Sequence, residues 1–236
     1  MTDAKSGCGT RLLINNVVVG EVYGVGEISL DRDQLDATSS DSIGCSREFI
    51  PGLKNGTFSV TGNWIGDTGQ EDVEDAYTGG TTDTYEIAFP NALGKSYEFQ
   101  ANDSDFSISS PHDGIITFDA SFQVTGPGTF NDTASAGLTT PYFAITGDSS
   151  GAITPTPAAS GSTYEYRANA DTTDTSITIT PTAAAGTIYV NGVTVASGVA
   201  SGSISIGSTG TYKNIFIEVK ESSKAPKIYL IEIYRP

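Results

Sequence analysis

Chemistry near neutral pH needs side chains that titrate there or that hold a metal, and this sequence offers few. It carries one histidine, His112, and two cysteines, Cys8 and Cys45. His112 lies in Ser-Ser-Pro-His-Asp-Gly, a turn by composition, and no partner converges on it in sequence. No Gly-x-Ser-x-Gly elbow, phosphate-binding glycine loop or His-Glu-x-x-His motif is present. A zinc site takes about four N or S ligands, more than two Cys and one His supply. Glycoside hydrolysis needs two facing carboxylates, and with 28 acidic residues no spacing singles out a pair. No catalytic residue, metal ligand or cofactor site is expected, and the chain reads as a non-enzyme.

The acidic clusters fit solvated turns better than calcium loops. Asp31, Asp33 and Asp36 lack the glycine and the closing glutamate of an EF-hand. Asn102, Asp103 and Asp105, and likewise Asp171 and Asp174, have oxygen ligands without a defined spacing. Glu71, Asp72, Glu74 and Asp75 form an acidic face that a helix start explains as well as a metal does. Cys8 and Cys45 both flank Gly-rich sequence and could pair. The first twenty residues lack an apolar run of signal-peptide length, so export by that route is not expected and free thiols are favoured.

Charge narrows the partners. With 12 basic residues against 28 acidic, the formal charge is −16. A nucleic-acid binder displaces counterions with Lys and Arg, and a basic membrane patch uses the same residues. This chain has the opposite sign, so tight binding to either is excluded. No apolar run is long enough for a membrane-spanning helix. Residues 1–130 hold 20 acids and 6 bases, whereas 131–236 hold 8 and 6. The change falls at 125–137, a Gly/Ser/Thr/Pro stretch that reads as a flexible linker. This predicts domains at 1–128 and 139–236 joined by 129–138.

The elements that would carry such surfaces are strands. Thirty Thr, 26 Ser and 27 Gly between short apolar segments suit strands and turns, so an ordered all-β protein is expected. Period-two alternation marks Phe58, Val60 and Trp64; Tyr85, Ile87 and Phe89; Tyr97 and Phe99; and Ile116, Phe118, Ala120, Phe122 and Val124. Two further strands are expected around Asn15-Asn16. One short helix is predicted, with Thr68 as N-cap, Glu71 three residues on, Val73, Ala76 and Tyr77 on one face, and Gly79-Gly80 as the stop. Residues 31–56 are polar and poorly periodic and read as a long functional loop. The second half predicts strands at 142–146, 164–167, 176–180, 187–190, 193–196, 201–206, 213–219 and 227–234, with Asn191-Gly192 as a hairpin turn. That density is the pattern of an Ig-like β-sandwich.

Three motifs give a resemblance. Asp36-Ala-Thr-Ser-Ser-Asp-Ser42, Arg47-Glu-Phe-Ile-Pro-Gly-Leu53 and Phe58-Ser-Val-Thr-Gly-Asn-Trp64 follow in order, then the helix and the aromatic strand at Tyr97–Phe99. Together, over about residues 10–126, they resemble the major tail tube proteins of long, flexible-tailed bacteriophages (siphophages). One departure is Ile43-Gly-Cys-Ser46, where that family often has Pro and Gly. The second half resembles cadherin-like or bacterial Ig-like sandwich modules. It does so through Ser176-Ile-Thr-Ile-Thr-Pro181, Val190-Asn-Gly-Val193, Gly198 to Gly207, Ile215-x-Ile217-x-Val219 and the ending Tyr229-x-Ile-x-Ile-Tyr-Arg235.

The resemblance implies a structural virion protein of the phage tail, assembled in the host cytoplasm. Its N-terminal tail tube β-barrel or sandwich domain would form hexameric rings that stack into a tube through the 31–56 loop and the chain termini. Asp36, Thr38, Ser39, Asp41, Arg47, Glu48, Phe49, Ile50, Pro51 and Leu53 are the implied stacking residues. The loop is expected to be mobile in the free subunit and ordered in the tube. The implied partners are further copies of the chain, tail terminator and tail tip proteins, and tape-measure protein and double-stranded DNA in the lumen without tight binding. An acidic wall suits the last, since it repels phosphate within a Debye length of about 8–10 Å. Residues 138–236 are expected to project outward as a mobile decoration, dispensable for tube formation, that touches the host cell surface. The main alternative is a two-domain β-sandwich adhesin or carbohydrate-binding module.

Overall fold

A computed structural model describes residues 7–39, 41, 43 and 46–236. Among the described residues the fold is all-β with one α-helix. The elements are β1 (Arg11–Ile14), β2 (Val17–Val18), β3 (Val22–Val25), β4 (Ser29–Asp36), β5 (Phe49–Asn63), α1 (Thr68–Gly79), β6 (Thr82–Ala88), β7 (Ser96–Ser109) and β8 (Thr117–Asn131). They continue with β9 (Leu138–Gly147), β10 (Gly151–Ile153), β11 (Glu165–Asn169), β12 (Ser176–Ala183), β13 (Thr187–Val190), β14 (Val193–Val195), β15 (Ile204–Ser205), β16 (Thr211–Lys220) and β17 (Lys227–Arg235).

The chain forms two compact units that interleave in sequence. One comprises Gly20–Thr84 and Phe99–Gly128; the other comprises the segment ending at Val19, Tyr85–Glu98 and Thr129–Pro236. Strands β6, β7 and β8 therefore carry residues of both.

In the first unit β8 pairs antiparallel with β5, and β5 pairs on its other side with β3 and β4. The alternation read from sequence holds at Phe58, Val60, Phe118, Ala120 and Phe122, which are buried, but not at Ile116, which precedes β8 and is exposed. The rings of Phe58 and Phe122 stack at 4.1 Å between centroids, and Phe99 meets Phe58 edge-on at 4.9 Å, geometries the ring quadrupole favours. Helix α1 buries Val73 and Ala76, whereas Tyr77 stays exposed. Its N-cap is Asp67, one residue before the expected Thr68. The Asp67 carboxylate accepts from the Gln70 backbone N–H at 2.9 Å, and Gly80 closes the helix in the left-handed region. Gln70, which a capping box would turn back to the cap, is buried instead. Its amide donates to Gly20 O and Asn63 O and accepts from the N–H groups of Ile65 and Gly66.

The second unit contains a β-sandwich. One sheet has the order β10-β9-β12-β15 and the other β11-β17-β16-β13-β14. Their facing side chains, among them Ile145, Ile177, Ile179, Ile215, Ile217, Val219, Ile231 and Ile233, form one core. The Asn191-Gly192 turn holds positive φ at both residues, as a two-residue hairpin requires, and so does Asn15-Asn16 between β1 and β2. Also in this unit, β1 pairs with β2 and with residues 85–88 of β6.

Two segments differ from their sequence reading. Residues 31–56 are mostly a hairpin: β4 and β5 pair from Ser29 with Thr57 to Asp36 with Phe49. Backbone pairing supplies the order that side-chain burial does not. Residues 125–137 are not a loose tether either. Strand β8 continues through Gly126, Pro127 and Gly128 to the buried Asn131. Beyond it Ala225 N–H donates to Thr133 O, Ser135 N–H to Ala225 O and Ala136 N–H to the Glu221 carboxylate. A segment whose backbone groups are bonded this way is anchored.

Candidate functional site

The expected stacking residues all lie on the β4–β5 hairpin and its tip. Asp36 ends β4 opposite Phe49; its carboxylate accepts from Thr38 N–H at 2.9 Å, and hydrogen bonds from Thr38 hold it below the usual carboxylate range. Thr38 accepts in turn from Glu48 N–H, and Ala37 N–H donates to Glu48 O, which closes the hairpin neck. Asp41 N–H donates to the Ser39 hydroxyl. Arg47 is exposed beside this neck. Cys45, and with it the possible Cys8–Cys45 pairing, lies outside the described residues.

Sequence explains the local bend. Pro51 has no N–H to give a ladder, and strand prolines gather at edges and bulges. Register shifts beside it: Gln34 pairs with Pro51, but Arg32 pairs with Lys54, so Gly52 and Leu53 together oppose Asp33. A Cβ on Gly52 would come within 2.9 Å of Asp33 Cβ, so this bulge needs glycine.

The hairpin is exposed on both faces from Asp31 to Asn55, Gly52 being partly covered and residues 40, 42, 44 and 45 lying outside the description. Leu35 and Ile50 pair across the strands and are each 53% exposed, while Phe49 is 50% and Leu53 81% exposed. Cross-strand apolar pairs stabilise sheets when covered. Here the unit provides no cover.

A second surface, unread in the sequence, lies within the sandwich unit. The outer face of β16 and β17 presents Phe216, Ile228 and Leu230 to Leu13, Val18 and Ala88 of β1, β2 and β6, a small core of its own. The Arg11 guanidinium lies 5.5 Å from the centre of the Phe216 ring. The Asn91 side chain donates to Ile228 O at 2.7 Å and accepts from Ile228 N–H at 3.1 Å. Gly192 packs so closely on Val17 that a Cβ there would sit 2.4 Å from Val17 Cγ2. At the end of the seam Lys220 Nζ reaches Glu86 Oε2 at 2.6 Å and Glu98 Oε2 at 2.9 Å. The available sequence signal was a Glu inside the run Ile215–Val219, all five of which are buried, as happens when both faces of a strand are covered. This seam explains why the 138–236 region is a docked part of its unit and not a mobile decoration.

The other candidates have structural roles. His112 is almost fully exposed, 3.8 Å from Asp113. Asp174 is buried. Its burial raises the carboxyl, but bonds from Ser150 Oγ, Ser149 N–H, Ser150 N–H and Asp171 N–H outweigh that and hold it well below the usual range. It clamps two turns together. Among the described residues no group of three or more His, Cys, Asp or Glu is arranged to hold a metal ion.

Residues 25–130 match the family model for phage tail tube protein, and residues 149–236 match that for the cadherin-like beta sandwich domain. A search of curated proteins found no match. Among solved structures, a chain of the virion of a native gene transfer agent particle is similar at 16% identity and a TM-score of 0.48, covering 54% of this chain and 98% of that one. A chain of the SPP1 tail tube is similar at 17% identity and 0.45, covering 56% and 81%. A chain of an extracellular contractile injection system sheath–tube complex is similar at 12% and 0.41, covering 56% and 93%. By its two family matches, the chain is similar to phage tail tube protein over residues 25–130 and to the cadherin-like β-sandwich domain over residues 149–236.

Proposed function

We propose that this chain is the building subunit of a phage tail tube, in which hexameric rings stack and the β4–β5 hairpin docks on the next ring. The observation that carries the reading is the hairpin itself: a long, ordered, two-stranded arm with Leu35, Phe49, Ile50 and Leu53 bare to solvent. Leu35 and Ile50 pair across the strands as exposed apolar neighbours, exposed apolar patches mark interaction sites, and unpaired strand edges invite pairing with another chain. In this reading residues 1–128 supply the ring, 139–236 the outer sandwich and 129–138 the connection. Asp36, Thr38, Ser39 and Asp41 shape the tip, Arg47 and Glu48 make charged contacts, and Phe49, Ile50, Pro51 and Leu53 are the apolar anchors.

The excess of 20 acids over 6 bases in residues 1–130 supports a net negative lumen. A duplex slides past such a wall, whereas a basic wall would trap it by counterion release. Tape-measure protein and DNA occupy the lumen in turn, terminator and tip proteins cap the ends, and the sandwich makes weak, many-copy contacts with the host surface. The test is negative-stain imaging of purified protein at high concentration. Rings or filaments support the reading; a small discrete particle under all conditions refutes it and favours the adhesin alternative.

A further inference from the structure

The seam between the sandwich sheet and residues 11–18 and 85–98 contains a polar cluster that no assembly role requires. Glu218 is 1% exposed, and neither of its carboxylate oxygens has a hydrogen-bond partner. Glu86 is 3% exposed, and its Oε1 is also without one. Lys220, two residues along β16, is already committed to Glu86 and Glu98. One ammonium thus serves three carboxylates. Glu98 is partly exposed, but Glu86 and Glu218 are both buried, so with the cluster fully ionised two buried carboxylates share one ammonium that also serves Glu98, an arrangement that burial penalises steeply. A single proton on Glu218 removes one of those charges. It also converts one of the three orphaned acceptor atoms into a donor.

We propose that this seam is a proton-controlled latch: it is closed while Glu218 carries a proton and loosens when that proton leaves. The groups facing Glu218 are Glu86 from β6, Glu98 from β7 and Lys220 from β16. Its cross-strand neighbours are Tyr189 on β13 and the uncharged Ile228 on β17. Strand β1 contributes Arg11, which lies over Phe216, and Lys227 at the start of β17 turns away to Ala136 O. Among the described residues only Lys220 therefore offsets the carboxylates directly. Burial, then Glu86, push the Glu218 carboxyl up to about 8, with Lys220 opposing. The sign follows: a carboxyl raised in the closed state stabilises closure fully below its ordinary value and loses that contribution as pH rises through about 8. The latch concerns docking inside one chain and stands whether or not the chain builds a tube.

The Ile228 amide reads the seam directly, because it donates to the Asn91 side chain across it. Hydrogen exchange of that amide is measured on the full chain between pH ~5.5 and ~9, as a ratio to the amides of Ile231 and Ile233. In the wild type the ratio should climb, by up to about tenfold per pH unit, and level off above pH ~8. In Glu218→Gln, which is neutral at every pH, it should stay flat, and Glu218→Leu should behave the same way. A flat wild-type ratio, or an equal climb in Glu218→Gln, overturns the proposal. So does failure of both variants to fold, since the charged carboxylate would then be what holds the seam.

Discussion

Two apolar strips in this chain have opposite fates. Leu13, Val18 and Ala88 lie under Phe216, Ile228 and Leu230 and are nearly fully buried. Leu35, Phe49, Ile50 and Leu53 lie on the β4–β5 hairpin and remain half or more exposed. Both strips sit on paired strands, so backbone hydrogen bonding does not distinguish them. The difference is whether the same chain supplies a cover. Burying a large aliphatic or aromatic side chain stabilises by about 1.5–3 kcal/mol. The seam gains this within one molecule, and the hairpin gains it only by meeting a second one. An apolar strip with an internal cover is part of the fold; one without is what the proposed function takes for an interface.

That contrast predicts a graded series. The largest effect belongs to truncation near Gly128. It removes the end of β8, bares Leu13, Val18 and Ala88, and leaves Glu86 without Lys220. The truncated protein should be insoluble or aggregated, and should form no regular tubes, when compared with the full chain by soluble yield and electron microscopy. A soluble fragment that forms tubes would return the sandwich to the status of an appendage. Next comes Lys220→Ala, which strands the buried Glu86 carboxylate. Losing one partner of a buried pair costs about 3–5 kcal/mol, to be read from denaturant unfolding.

Asp174→Asn should cost about 1–3 kcal/mol, because a carboxylate with four donors is replaced by an amide that must turn one oxygen into a donor. The wild-type contribution has a definite sign. Asp174 is depressed in the fold, so its stabilisation is present above the usual carboxylate value and is lost as pH falls through and below it. The pH dependence of unfolding should be correspondingly flatter at the acid end in Asp174→Asn. The smallest effect on subunit stability belongs to Arg47→Glu. Exposed beside the hairpin neck, it should leave circular dichroism unchanged while blocking assembly.

Much of this was legible from sequence where one face of a strand is buried. Phe118, Ala120 and Phe122 alternate with polar residues because one side meets the core and the other meets water. Asn191-Gly192 marked its turn because few residues adopt positive φ. Legibility failed where that premise fails. The hairpin has two exposed faces, so alternation carries no signal, and the bulge at Gly52 and Leu53 shifts what alternation remains. The stretch 125–131 is rich in Gly and Pro, which are poor strand formers, yet β8 runs through it. The seam was hidden for the reverse reason: β16 is covered on both faces, and the meaning of Glu218 depends on Glu86, distant in sequence. The cap at Asp67 was missed because Thr68 is also a good cap, and only the Gln70 bond separates them.

The central claim, that the bare hairpin is an interface between copies, is tested most directly by imaging the full chain beside a Leu35→Asp/Ile50→Asp variant. Both residues are exposed, so the variant should keep the wild-type circular dichroism spectrum. Wild-type protein should form rings or filaments in negative stain, and the variant should stay as single subunits or unstacked rings. Wild-type protein that never assembles, or a variant that builds the same tubes, would contradict the account.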